Sequence, residues 1–374
     1  MSNSVIWPDY KNCLANLPNS ILKKFGAEPA GDSLPLLDKY LEKDYKNIIV
    51  ILLDGMGKNI VEEHLSPDGP FRSNYKGTYL STFLSTTVAA TTSVITGLQP
   101  CEHAWLGWDC YYPQIDKNVT VFLNTLTGTS TPAADYHVAG TYNPYKTVFE
   151  RIEEAGYEAY GCTPYMPPYY PDFESALKAV KELAAKPGKK YIYSYCSNPD
   201  GILHMTGTKS QETHENVLDL EKMVNDLVSE LEDSIVIVTA DHGHRDLTGS
   251  ARIEEYPEIV DLLERGPSFE PTVLNLFVKE GKKEEFEKVF KKTFGEHFML
   301  LTKEKVIERK LMGSRTPNKN FADMIGDYIA LSVDGFALYY DDGDFKSLHA
   351  ALSPEEMEIP LIIFERDEVK DNGR

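Results

Sequence analysis

No stretch of the chain approaches the roughly 20 consecutive apolar residues that a membrane span requires, and no membrane partner is expected. The opening residues, Met1-Ser2-Asn3-Ser4-Val5-Ile6-Trp7-Pro8-Asp9, have neither a basic start nor an apolar core, so no secretory signal is read there. Cysteine is scarce: Cys13, Cys101, Cys110, Cys162 and Cys196 are odd in number and lack CxxC spacing. That pattern fits free thiols in a reducing cytoplasm. Positive charge is short as well. The 38 Lys and Arg face 58 Asp and Glu, a net charge of −20, which argues against binding a nucleic-acid polymer. A small phosphate ligand is still compatible, because bound metal ions invert the charge of a site locally. The sequence has no internal repeat and no low-complexity tract.

What the chain has is material for a core. Of its 374 residues 42% are hydrophobic, enough for one large packed domain with an insertion. Residues 46–53 form a nearly continuous apolar run, as expected of a strand buried on both faces, and Asp54-Gly55-Met56-Gly57 breaks it. Similar strands are expected at 191–196, 234–240 and 359–364, and helices at 146–155, 173–185 and 211–231. Strands and helices alternate, so the expected fold class is α/β, with a central, mostly parallel sheet flanked by helices. Residues 267–316 read as a small inserted α+β subdomain within one domain spanning residues 1–374.

Three of the strands run out into acidic residues, Asp54, Asp200 and Asp241. Ligands of open α/β sheets gather beyond the carboxyl ends of the strands. One such Asp alone is as readily a turn former or a helix cap. His204 follows Asp200 by four residues, a spacing that puts both side chains on one face if the segment turns as a helix. Asp241-His242 sets two ligand types side by side but pointing apart, which suits two neighbouring metals. His244 reads as an outer contact or a bystander, and His349 by itself as a loop residue. Carboxylate oxygen and imidazole nitrogen are the donors of a zinc-type site, and a pair of such sites can clamp phosphoryl transfer.

Between Asp54 and Asp200 runs Leu84-Ser85-Thr86-Thr87-Val88-Ala89-Ala90, entering a helix that Gly97 and Pro100 stop. A hydroxyl in the first turn of a helix meets unpaired N–H groups and the positive end of the dipole, which bind phosphate and favour an alkoxide. Taken alone, Ser85, Thr86 or Thr87 would be a plain N-cap. Trp105, Trp108, Tyr111 and Tyr112 follow, as stacking groups for a substrate or as packing.

In these segments the sequence resembles the alkaline phosphatase superfamily and, within it, the type I phosphodiesterase/nucleotide pyrophosphatase family. The matching stretches are Ile49 to Gly55, Thr87 to Pro100 with Glu102-His103, Pro199-Asp200 with His204, Thr239 to Gly243, and His349. They keep the family's order across residues 46–364. The resemblance implies an alkaline-phosphatase-like fold and metal-dependent hydrolysis of a small phosphate ester, a nucleotide being one candidate. It implies Thr87 as nucleophile and a covalent phospho-enzyme. It also implies two divalent cations, zinc first and manganese as the alternative. Asp200, His204 and His349 would hold one, and Asp54, Asp241 and His242 the other.

One position departs from the pattern. Many nucleotide pyrophosphatases have Thr-Phe-Pro-Asn where this chain has Thr87-Val88-Ala89-Ala90, so Ala90 stands in place of an Asn that donates to the phosphate. Tyr142, Asn143 and Lys146 are candidates to replace that donor, against a plain surface-loop reading. The departure keeps a phosphomonoesterase or phosphonate hydrolase on the same metal core as the alternative. A non-catalytic metal-binding protein is the alternative from another class. The hydroxyl segment lacks the Cys/Ser-x-Pro-x-Arg pattern of sulfatases, and its Thr differs from the usual Ser of cofactor-independent phosphosugar mutases.

Overall fold

The computed structural model describes residues 5–368. A six-stranded sheet forms its centre. In chain order the strands are β1 (Asn47–Leu53), β2 (Tyr75–Leu80), β3 (Glu158–Cys162), β4 (Lys190–Cys196), β5 (Ser234–Thr239) and β6 (Glu358–Arg366). In space they run β2-β6-β5-β1-β4-β3. β1 pairs in parallel with β4 and β5, and β4 pairs in parallel with β3, whereas β6 lies antiparallel between β5 and β2. The α/β class and the mostly parallel sheet are as the alternating elements of the sequence led us to expect.

Every residue of β1, β4 and β5 is buried. Both faces of these strands are covered, which is why they read as unbroken apolar runs. The helices Phe173–Ala185 and Gln211–Ser229 add Leu177, Val180, Val217, Leu220 and Val224 to the same core. Fully burying one such side chain contributes about 1.5–3 kcal/mol.

A second sheet of seven antiparallel strands stands apart. It takes Asp109–Tyr112, Lys117–Thr120 and Thr125–Leu126 from the first half of the chain, and Ser268–Glu270, Val273–Leu276, Phe298–Thr302 and Tyr328–Ser332 from the second. Residues 267–316 also supply the helix Lys283–Phe294, whose Phe286, Phe290 and Phe294 share a hydrophobic cluster with Leu274 and Leu276. All five cysteines are buried and unpaired. Among the described residues, no helix is long and apolar enough to cross a membrane.

The carboxyl ends of β1, β4 and β5 lie side by side, and glycine lets their loops close. A Cβ on Gly57 would fall 2.4 Å from the Gly243 Cα, and one on Gly243 would fall 2.0 Å from the Glu355 carbonyl oxygen. Neither position has room for a side chain, so the loop after Asp54 and the loop after Asp241 can meet only as glycines.

Candidate active site

Asp54 follows β1 directly, Asp241 lies just beyond β5, and Asp200 opens the helix Asp200–Thr206 after β4. One turn along that helix, His204 Nε2 stands 3.3 Å from Asp200 Oδ1. His349 comes from much later in the chain. Ser347–Leu348 pairs antiparallel with Arg245–Asp246, Leu348 opposite Arg245, and the same register sets His349 beside His244. Their ring centroids are 5.0 Å apart.

Two clusters result. In the first, Asp200 Oδ1 lies 2.7 Å from His244 Nε2, 3.3 Å from His204 Nε2 and 3.6 Å from His349 Nε2. In the second, His242 Nε2 is 3.3 Å from Asp54 Oδ1 and 3.4 Å from Asp241 Oδ2. Asp200 also groups with Asp54 and His242, and the His242 and His349 rings stack at 3.8 Å. The clusters therefore adjoin and share a carboxylate.

The donor set fits divalent cations. Among the described residues, no Lys or Arg pairs with Asp54, Asp200 or Asp241. Asp241 Oδ1 accepts the N–H groups of Gly55 and His242 at 3.1 and 3.0 Å, yet its Oδ2 is buried without a hydrogen-bond partner. Such an orphaned carboxylate oxygen is costly unless a cation meets it. Burial, and then repulsion from Asp200, lifts the Asp54 carboxyl well above its ordinary range. Burial, and then Asp54, does the same to Asp241. Asp200 is different: against the cost of burial, His204 and its neighbours hold it well below the usual carboxylate value. In return Asp200 overcomes burial and lifts His204 to about 9.

Each imidazole is oriented from behind. Nδ1 of His204, His242 and His349 contacts the carbonyl oxygens of Ser347, Gly243 and Ser85 at 2.9, 3.1 and 3.2 Å. Carbonyls only accept, so these Nδ1 atoms carry the proton. His244 Nδ1 meets the Ser347 hydroxyl at 3.0 Å, and that hydroxyl spends its own proton on the Leu203 carbonyl. The arrangement turns each Nε2 toward a cluster, where it offers a metal its lone pair once it carries no proton; His204 would have to give up a proton to do so. Tyr195, near the end of β4, donates its hydroxyl to Asp54 Oδ2 and leaves Oδ1 toward the cluster.

Three consecutive hydroxyls enter the helix Thr87–Thr96, and they face different ways. Ser85 donates to the Ala351 carbonyl at 2.8 Å, and Thr86 donates to Glu270 Oε1 at 2.5 Å. Thr86 is the N-cap residue, but its side chain does not cap the helix. Thr87 Oγ1 lies 3.3 Å from His242 Nε2 and 3.5 Å from Asp54 Oδ1.

Asp54, Asp200, His204, Asp241, His242, His349 and Thr87 are thus brought to one place. His244, held outside the ligand set on sequence grounds, joins the first cluster. Its signal was present in Asp241-His242-Gly243-His244, but the ribbon that turns it inward pairs residues a long way apart. The proposed substitutes for the missing Asn are not at the site. Asn143 is buried and gives its amide to the Ala104 carbonyl and Met324 Sδ, Lys146 pairs with Glu154, and the Tyr142 hydroxyl meets that of Tyr136. Of the four aromatic residues, Trp108 lines the cleft. Trp105 stacks on His137, Tyr111 lies under the Arg265 guanidinium, and Tyr112 is buried in the core.

If His244 helps hold a cation, His244→Ala weakens metal binding by roughly 10- to 100-fold. Competitive titration against a chromogenic chelator measures this, and an unchanged affinity would put His244 back outside the ligand set.

Fold and site together define an alkaline-phosphatase-like α/β protein with a candidate dimetal centre at the carboxyl ends of its strands. Residues 48–351 match the model of the type I phosphodiesterase/nucleotide pyrophosphatase family, and the chain belongs to that family. Among solved structures, murine ectonucleotide pyrophosphatase/phosphodiesterase 5, in an inactive form complexed with AMP, is similar with a TM-score of 0.65 and 17% identity, over 87% of this chain and 88% of that one. Its human counterpart is similar at 0.65 and 16%, over 86% and 87%. Phosphonoacetate hydrolase from Sinorhizobium meliloti 1021, complexed with phosphonoformate, is similar at 0.63 and 15%, over 86% and 90%. At these identities the likeness is one of fold. A comparison with curated proteins gives no match.

Proposed function

We propose that the chain is a two-metal hydrolase of phosphate esters that attacks phosphorus with Thr87 and prefers phosphodiesters. One observation carries the reading: Thr87 Oγ1 stands within 3.5 Å of both Asp54 Oδ1 and His242 Nε2, while Ser85 and Thr86 are committed elsewhere. Asp200, His204 and His349, joined by His244, would hold one cation, and Asp54, Asp241 and His242 the other. Zinc suits this mixture of imidazole and carboxylate, with manganese next. When bound, the ions lower the pKa of a hydroxyl and of water and offset phosphoryl charge.

The chain's own residues do the rest. Thr87 begins its helix, so the first N–H groups, with no side-chain cap across them, face an incoming phosphoryl oxygen. The Thr87 oxygen bonds to phosphorus as the ester oxygen departs. Water then displaces the Thr87 oxygen from phosphorus, and the hydroxyl is restored. Carbonyl contacts to the histidine Nδ1 atoms keep the rings from turning during both displacements.

Ala90 favours a second reading, because it brings no amide donor to the phosphoryl group. A phosphomonoesterase or phosphonate hydrolase would use the same core. Bound AMP in the murine structure and phosphonoformate in the bacterial one support anion binding on this fold, without choosing between the two. Paired assays on bis(p-nitrophenyl) phosphate and p-nitrophenyl phosphate, with and without zinc or manganese, test the choice. We expect metal-dependent turnover with the higher kcat/KM on the diester. Faster turnover of the monoester overturns the diester preference, and no metal-dependent turnover of either overturns the hydrolase reading.

A further inference from the structure

The hydroxyl just ahead of Thr87 is turned away from its own helix. Thr86 is the N-cap residue of Thr87–Thr96, with φ −137° and ψ 150°. From that extended backbone a threonine hydroxyl ordinarily accepts the N–H two or three residues on, here that of Val88 or Ala89. Thr86 does not. It is buried, and its hydroxyl donates instead to Glu270 Oε1 at 2.5 Å. The same oxygen accepts the Trp108 N–H at 2.9 Å. The first bond of the helix runs from the Ala90 N–H to the Thr86 carbonyl at 2.9 Å, so the donors of Val88 and Ala89 precede the ladder. Both residues are buried, and an unpaired donor in such a place is costly.

Glu270 comes from the seven-stranded sheet, and the residue before it is strained. Phe269 has φ 79°, a left-handed conformation that bulky side chains rarely adopt. Its surroundings hold it there. Phe269 is fully buried opposite Asp109, and the Tyr340 hydroxyl donates to its carbonyl at 3.0 Å. A Cβ on Gly107 would fall 3.1 Å from the Phe269 Cα. Strain maintained in this way is often part of how a site is arranged. The residue that follows the strained unit is the one that reaches Thr86.

We propose that Glu270 is a positioning residue for the nucleophile helix. By engaging the Thr86 hydroxyl it keeps the Val88 and Ala89 N–H groups open to a phosphoryl oxygen, a role that rests on the hydrolase reading above. The demand on those donors is greater in this chain, because Ala90 supplies no side-chain amide. Without an acceptor at position 270, the Thr86 hydroxyl turns back and caps the helix. The helix is then more stable, and the phosphoryl group loses a donor. Stability and phosphate affinity therefore move in opposite directions, whereas a merely structural role would lower both together.

Three variants test this. Glu270→Met fills the space without a strong acceptor, Glu270→Met/Thr86→Val also removes the hydroxyl, and Glu270→Gln keeps an acceptor. The first two both lack the carboxylate, so its charge cancels from their comparison. Each zinc-loaded protein is titrated calorimetrically with inorganic phosphate, melted, and assayed on bis(p-nitrophenyl) phosphate. We expect Glu270→Met to bind phosphate about tenfold more weakly than the parent, as loss of one hydrogen bond to a charged group implies. Adding Thr86→Val should recover most of that affinity while lowering the melting temperature below that of Glu270→Met. Glu270→Gln should recover most of the affinity as well. Phosphate that binds Glu270→Met as tightly as the parent, or no better once Thr86→Val is added, overturns the proposal. The expected order of affinities without turnover of the ester keeps the positioning role and removes the hydrolase reading. Metal-dependent turnover indifferent to all three variants does the reverse.

Discussion

Thr87→Ala lowers kcat on the preferred ester by on the order of 10³-fold or more, with zinc content and melting temperature close to those of the parent. Removing a covalent nucleophile commonly has an effect of this size. The side chain is small and sits in the first turn, where Ala is an acceptable residue, so the helix should survive. Thr87→Ser, which keeps the oxygen, should retain a measurable fraction of the rate. A phospho-enzyme trapped by acid quench in the parent and missing from the alanine variant would link the loss to that oxygen. Unchanged turnover in Thr87→Ala would instead favour attack by water, or a protein that binds metal without catalysis.

The second large effect concerns removal of the cations. Exhaustive chelation should abolish turnover, and zinc or manganese should restore it. Each ion held at about a hundred times its Kd contributes about 2.7 kcal/mol to folding, so the melting temperature falls as well. Its pH dependence has a definite sign between pH 7 and 9. The folded-state pKa of His204 is raised to about 9 from the ordinary 6.5. Its contribution is therefore complete below 6.5 and is lost as pH rises through about 9. Asp54 and Asp241 act in the same direction, since their raised values mean that the folded chain holds protons the unfolded chain has released. His244, lowered to about 3 by burial, acts in the opposite sense, but only below about 6.5. Metal-free protein should thus melt progressively lower from pH 7 to 9, while metal-loaded protein changes less. Scanning calorimetry at three pH values decides it, and a level or rising metal-free curve would count against this account of the charges.

How much of this was legible in the sequence depended on burial. β1, β4 and β5 are covered on both faces and announce themselves as apolar runs. β2 and β3 sit at the two edges of the sheet, and stretches such as Glu158-Ala159-Tyr160-Gly161-Cys162 carry no comparable pattern. The α+β reading of residues 267–316 foretold the strands Val273–Leu276 and Phe298–Thr302 of the seven-stranded sheet, but not that they join short strands from separate parts of the chain, 109–126 and 328–332. The candidate ligands near strand ends could be found from local spacing. His244 could be weighed but not placed, because its position depends on a pairing between distant segments, the ribbon with Ser347–Leu348. The search for a replacement of the Asn donor failed for the same reason. Asn143 looked available in sequence, yet its amide is consumed inside the core.

The place of β6 bears on how the protein is made. It follows every other strand of its sheet in the chain, yet it fills an interior slot, pairing Glu358 with Leu80 and Ile362 with Val238. A ribosome that has delivered β5 has therefore delivered an apolar strand with one edge still open. His349, a few residues ahead of β6, also emerges late. The first cluster cannot close before His349 has been delivered, and pairing over such sequence distances is slow. A cation at that cluster would therefore be captured only after the segment carrying His349 has folded back beside His244.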